Sequence, residues 1–149
     1  MLRLLPPNNS KTGAKFETWF GSGQATYDPV VRDVYAEASA FSGFKVFWCP
    51  NASFPGDDPG TFAFVPRGKG PFGEVFVETA FFSAPTSGAD SQAGSIIHEM
   101  THLSAKRGVV DVAYGTAVAR ALASNQPLKA RINADNFEYF AEDVTDGIR

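Results

Sequence analysis

The chain has 149 residues, a length suited to one domain, and its 14 phenylalanines, two tryptophans and four tyrosines are enough to fill a core without covalent staples. A net charge of −3, from 13 basic and 16 acidic residues with no basic block, offers nothing to a nucleic acid. No apolar run approaches the ~18 residues of a membrane span, and the single cysteine, Cys49, excludes an intramolecular disulfide.

Met1-Leu2-Arg3-Leu4-Leu5 is too short for the core of a signal peptide and runs directly into Pro6-Pro7. Residues 1–14 read as an N-terminal tail and 15–149 as the folded domain. Asp28-Pro29 followed by Val30, Val31, Val34, Tyr35, Ala38 and Phe41 predicts an N-capped amphipathic helix with proline in its first turn, closed by Gly43. Residues 44–48, 62–65 and 74–78 are aromatic and β-branched, with turns such as Pro55-Gly56-Asp57-Asp58-Pro59-Gly60 between them, and predict a small sheet. The 74–78 strand is either an edge able to pair with an extended peptide or a plain structural strand. Three helices follow, at about 91–105, 116–124 and 127–142. The chain shows no internal repeat or low-complexity tract.

The only two histidines lie on the first of these helices, in Ser95-Ile96-Ile97-His98-Glu99-Met100-Thr101-His102-Leu103. Four residues make one helical turn, so both imidazoles project from one face and can grip one metal ion, with the Glu99 carboxylate beside them. Two histidines placed at random fall four apart in about one arrangement in a hundred, before a glutamate between them is required. A catalytic zinc takes three protein ligands and keeps a fourth position for water. No third histidine exists and Cys49 is distant, so a carboxylate must complete the set. Gly108-Val109-Val110-Asp111-Val112-Ala113-Tyr114-Gly115 supplies a candidate: Gly108 can stop the helix, Asp111 offers an oxygen ligand, and Tyr114 adds a phenol. Further on, Asp135 and Glu138 are three apart on one helix face, where they form either a pocket for a cationic side chain or a solvated acidic surface.

HExxH followed by G-x-x-D-x-x-Y-G at this spacing resembles the aspzincin metallopeptidases, the family of deuterolysin and the peptidyl-Lys metalloendopeptidases. The family form has threonine where this chain has Val109. Other blocks extend the likeness over about residues 15–143: Lys15-Phe16-Glu17-Thr18-Trp19-Phe20-Gly21 is similar to the family's Trp-Phe-Gly segment. Ala80-Phe81-Phe82-Ser83-Ala84-Pro85 and Asp90-Ser91-Gln92-Ala93-Gly94 resemble the strand and linker entering its metal helix. Asn133-Ala134-Asp135-Asn136-Phe137-Glu138-Tyr139-Phe140-Ala141-Glu142 resembles its last helix.

The resemblance implies an α+β, zincin-like domain, rich in helix, with a small mostly antiparallel sheet and an HExxH active-site helix, spanning residues 15–149. It implies one Zn²⁺ per chain held by His98, His102 and Asp111, with Glu99 as general base and Tyr114 donating to the oxyanion; an ordinary core tyrosine is the alternative for Tyr114. It makes Asp135 and Glu138 the receivers of the lysine that follows the cleaved bond. The expected function is zinc endopeptidase cleavage before lysine, on protein or peptide substrates, with no nucleic-acid or membrane partner. The fungal relatives carry disulfides and a longer helical N-terminus, and this chain departs on both points. A secreted enzyme, a bacterial effector domain acting in a reducing cytosol, and one domain of a larger protein all accommodate that departure. A catalytically silent binding module is the expectation from another class, and it is disfavoured because no motif residue is missing.

Overall fold

The computed structural model describes residues 10–22, 29–40, 45–49, 60–66, 74–104 and 108–148. The helix limits expected at Asp28, Phe41 and Gly43, the strand residue Phe44, the 55–59 part of the turn and the far end of the 91–105 helix lie outside these residues.

Helix α1 (Ser10–Phe20) starts ahead of the tail boundary expected at residue 15. It buries Phe16, Trp19 and Phe20, while α2 (Pro29–Ala40) buries Val31, Val34 and Tyr35; both sets are spaced three and four apart, as one helical stripe requires. The closing helix α6 (Ala134–Asp146) meets them with Phe137, Tyr139 and Phe140. Rings interlock edge to face, Phe20 on Phe137 at 5.1 Å and Phe16 on Phe140 at 5.9 Å. Each fully buried ring contributes roughly 2–3 kcal/mol. The Trp19 Nε1 donates to Asp143 Oδ2 at 2.9 Å and Lys15 Nζ lies 2.9 Å from Asp143 Oδ1, so α1 is also tied to α6 by charge.

Gly21 ends α1 with φ +88°, a conformation that favours glycine, and a Cβ there would come within 2.6 Å of the Ala123 carbonyl oxygen. That close approach of α1 to α4 (Thr116–Asn125) gives the glycine of the Trp-Phe-Gly block its reason.

The sheet has three strands, β1 (Lys45–Trp48), β2 (Ala63–Phe64) and β3 (Glu74–Val77), in the order β1-β3-β2. β3 pairs antiparallel with β2 but parallel with β1, and the parallel pairing is the longer one. The sheet is therefore mixed rather than mostly antiparallel. The stretch from Cys49 to Gly73 is long enough to carry the chain back to the same end, which a tight hairpin could not do. β3 is the central strand, bonded on both sides, so the expectation that it could be an open edge does not hold. Along it, Val75 and Val77 face α3 (Gln92–His102) with Ala63, Phe81 and Met100, while Phe76 stacks between Phe47 and Phe64 on the other face.

Thr79–Ser83 forms a 3-10 turn, not the strand that the Ala80–Pro85 block suggests. Ser91 caps α3 by accepting from the Gly94 N–H at 2.9 Å, and its own N–H and Oγ–H donate to Glu142 Oε1 on α6. α3 and α6 run antiparallel and touch at Gly94, where a Cβ would land on the Glu142 carboxylate.

The helix expected over 127–142 is two helices, α5 (Pro127–Ala130) and α6. Between them Asn133 is extended (φ −99°, ψ 120°), because the chain there pairs with Val110: Val110 N–H donates to Ile132 O at 2.8 Å and Ala134 N–H to Val110 O at 3.1 Å. Helical periodicity carries no trace of a partner so far upstream.

Candidate active site

α3 presents His98, Glu99 and His102 toward the loop that follows it, as the one-turn spacing requires. Gly108, at φ +59°, sits where the chain returns toward the helix. The loop then brings Asp111 Oδ1 to 3.0 Å from His98 Nε2 and 3.1 Å from His102 Nε2.

The second nitrogen of each ring is already engaged. His102 Nδ1 lies 3.1 Å from the Val109 carbonyl oxygen, and His98 Nδ1 lies 2.9 Å from Asp135 Oδ1 and 3.2 Å from Glu138 Oε2. Such contacts fix ring orientation and leave Nε2 as the outward donor.

Electrostatics follow from this crowding. Burial pulls His98 down, but hydrogen bonds to Asp111, Asp135 and Glu138 and the charge of Glu99 outweigh it and push the ring up to about 12. His102 is raised on the same balance, with Asp111 as its main partner. Asp111 is lifted by burial, yet its bonds to His102 and His98 hold it well below the usual carboxylate range. Glu99 moves the other way: burial pushes it up to about 7 despite the two imidazoles. Its carboxylate lies 3.8 Å from His98 Nε2 and accepts from the Val65 backbone N–H just beyond β2. Two carboxylates at one centre thus differ in character: hydrogen bonds hold Asp111 ionised, while burial raises Glu99.

Tyr114 is 64% exposed, stands over the His98 ring at 6.2 Å with planes 11° apart, and bonds to Asp111. Partial burial and Asp111 push its phenol up to about 12, so it remains a proton donor. It lines the open side of the centre and is not a core residue.

Asp135 and Glu138 are buried at 3% and 6% exposure, which removes the solvated-surface alternative. Both oxygens of Asp135 are committed, Oδ1 to His98 and Oδ2 to the Gly115 N–H at 2.6 Å. Glu138 reaches His98 through Oε2 alone. Burial and the negative Asp135 and Asp90 raise Glu138 against the pull of His98.

The donor set suits a divalent cation. The Asp111 oxygen lies 3.0 and 3.1 Å from the two imidazole nitrogens, close to the ~3.4 Å edge of a tetrahedral zinc site. Further carboxylates, Glu99, Asp135 and Glu138, gather around the His98 ring. Every site residue expected from the sequence is in this one region. Two participants were not singled out there: the Val65 N–H, which no side chain advertises, and Asn133, which the expected 127–142 helix placed in its interior.

A family model described as lysine-specific metallo-endopeptidase, the aspzincins, matches residues 7–142. The peptidyl-Lys metalloendopeptidase of Grifola frondosa is 41% identical over 130 residues, covering 86% of this chain and 35% of that protein. An extracellular protease of Aeromonas hydrophila is 40% identical over 134 residues, 89% of this chain and 36% of that protein. The chain therefore spans about a third of the length of these two relatives. The solved structure of a zinc peptidase from Grifola frondosa superposes with a TM-score of 0.74 at 39% identity, over 89% of this chain and 77% of that one.

Proposed function

The chain belongs to the aspzincin family of lysine-specific metallo-endopeptidases, and from that premise we propose that it is a zinc endopeptidase cleaving on the N-terminal side of lysine. The observation that carries this reading is the convergence of both Nε2 atoms on one Asp111 oxygen, with each ring's other nitrogen already engaged.

His98, His102 and Asp111 are the residues to hold one Zn²⁺, which when bound supplies Lewis acidity to the attacking water and the scissile carbonyl. Glu99 takes a proton from that water as its oxygen bonds to the carbonyl carbon, and returns it to the amine nitrogen as the C–N bond breaks. Tyr114 donates its O–H to the oxyanion, a contribution usually worth a few kcal/mol per donor.

An extended substrate finds its backbone partner at the β2 side of the sheet, residues 63–66, which adjoins Glu99. The lysine ammonium is received by the acidic pair, with Glu138 the direct partner because Asp135 is occupied by His98 and Gly115; Asp135 adds negative potential behind it. Arginine's wider planar fork suits such a slot less well. Secretion is supported by the name of the Aeromonas relative, whereas delivery as an effector into a reducing cytosol is favoured by the single cysteine.

The test is to digest a denatured proteome and sequence the new N-termini. Lysine should dominate the first position, and Asp135→Asn combined with Glu138→Gln should lose most of that preference. An absence of lysine enrichment with the wild-type chain would sink the specificity, and an absence of zinc-dependent cutting would sink the activity.

A further inference from the structure

We propose that Asn133, which touches neither metal nor substrate, is the positioning residue that holds the Asp111 loop at its ligand distance. The inference rests on Asp111 being a zinc ligand.

Val109 is buried in the core and anchors the start of the loop, but beyond Asp111 the side chains of Val112 and Tyr114 are 38% and 64% exposed. There the chain is held mainly by hydrogen bonds, and among the described residues Asn133 supplies three of the four that come from side chains. Its Oδ1 accepts from the Val112 N–H at 2.8 Å and the Ala113 N–H at 3.0 Å, and its Nδ2 donates to the Ala113 carbonyl at 3.1 Å. These bonds grip the chain directly after Asp111.

The other Nδ2 hydrogen goes to Asn136 Oδ1 at 2.8 Å, which uses the full bonding capacity of the amide. Asn136 in turn donates to the Trp19 and Ala119 carbonyls at 2.6 and 3.0 Å. Both asparagines are fully buried, so the loop is anchored through two amides to α1 and α4 rather than to solvent.

A local conflict strengthens the argument. Asn133 occupies the N-cap of α6, where asparagine normally accepts a hydrogen bond from its own helix, yet its side chain makes no cap bond. The helix forgoes its side-chain cap, and the oxygen serves the loop instead. Local preference overridden in this way is expected where function imposes the geometry. Aspartate could not substitute cleanly, since its second oxygen would face two acceptors, Ala113 O and Asn136 Oδ1.

The test is a double-mutant cycle read by zinc affinity, measured in competition with a chromophoric chelator. Asn133→Ala should weaken zinc by about 10–100-fold, the range for residues that orient a metal ligand. In an Asp111→Ala background the same change should cost almost nothing, because the ligand it positions is gone. Amide exchange should become fast at Val112 and Ala113 while α3 stays protected. Equal losses in both backgrounds would overturn the positioning role and leave Asn133 a general structural residue. If Asp111→Ala by itself leaves zinc affinity unchanged, the ligand assignment falls, a failure distinct from the first. Should Asn133→Ala not fold, Asn133→Ser leaves a hydroxyl in the site and carries the same cycle.

Discussion

At the residue scale, the centre separates binding from chemistry. Asp111→Ala removes one of three converging donors and should weaken zinc enough to lose it on dialysis while leaving a measurable affinity, whereas Glu99→Ala should retain zinc and lose cleavage by about 10²–10⁴-fold; elemental analysis beside a casein assay decides both. Tyr114→Phe keeps the ring over His98 and removes only the donor, so kcat should fall about 10²–10³-fold with little change in KM. An equal rise in KM would mean the phenol serves substrate binding instead. His98, Glu99 and His102 were legible because a helix turn converts spacing into geometry without reference to anything distant. Asp111 and Tyr114 were legible only through the pattern that follows them. Asp135 was legible as a carboxylate but not in its contact with His98, since nothing in a sequence tells which buried base an acid will face.

At the scale of elements, the α3–α6 contact decides whether those residues meet. Gly94 allows it, and Gly94→Ala should cost about 1–3 kcal/mol or more and also weaken zinc, as both Glu142 and Glu138 must withdraw. A melting curve and a zinc titration on the same sample check this. Glu142 adds a pH dependence. Burial, together with Glu138 and Asp90, pushes it from 4.5 up to about 7, against two bonds from Ser91, and its Oε2 has no hydrogen-bond partner. The folded chain therefore holds this proton more tightly than the unfolded one. The resulting stability is complete below pH 4.5 and declines as pH rises toward 7. Glu142→Gln, which keeps an acceptor for Ser91, should flatten that slope and gain about 1–2 kcal/mol at neutral pH after allowance for screening. A variant melting with the same pH slope as wild type would refute it. The helices from α2 onward were mostly readable from their stripes, as Val31, Val34 and Tyr35 illustrate, whereas α1 went unread behind the Trp-Phe-Gly block. Strand direction and the break at Asn133 were not readable either, because both depend on partners brought in by distant chain.

At the scale of the whole molecule, the chain has a single cysteine, so a reducing agent should leave the melting temperature of zinc-loaded protein unchanged. A large drop at full zinc occupancy would point to a Cys49 bridge between chains. The dependence of the centre on α6 has another outcome, for synthesis. The zinc-binding motif emerges from the ribosome well ahead of residue 133, when His98 Nδ1 has no carboxylate to meet and the Asp111 loop has no amide to hold it. A nascent chain stopped before Asn133 displays the whole signature yet should neither retain zinc nor cut protein. Under the proposed function, the metal centre would thus be completed only once the chain is long enough to include α6.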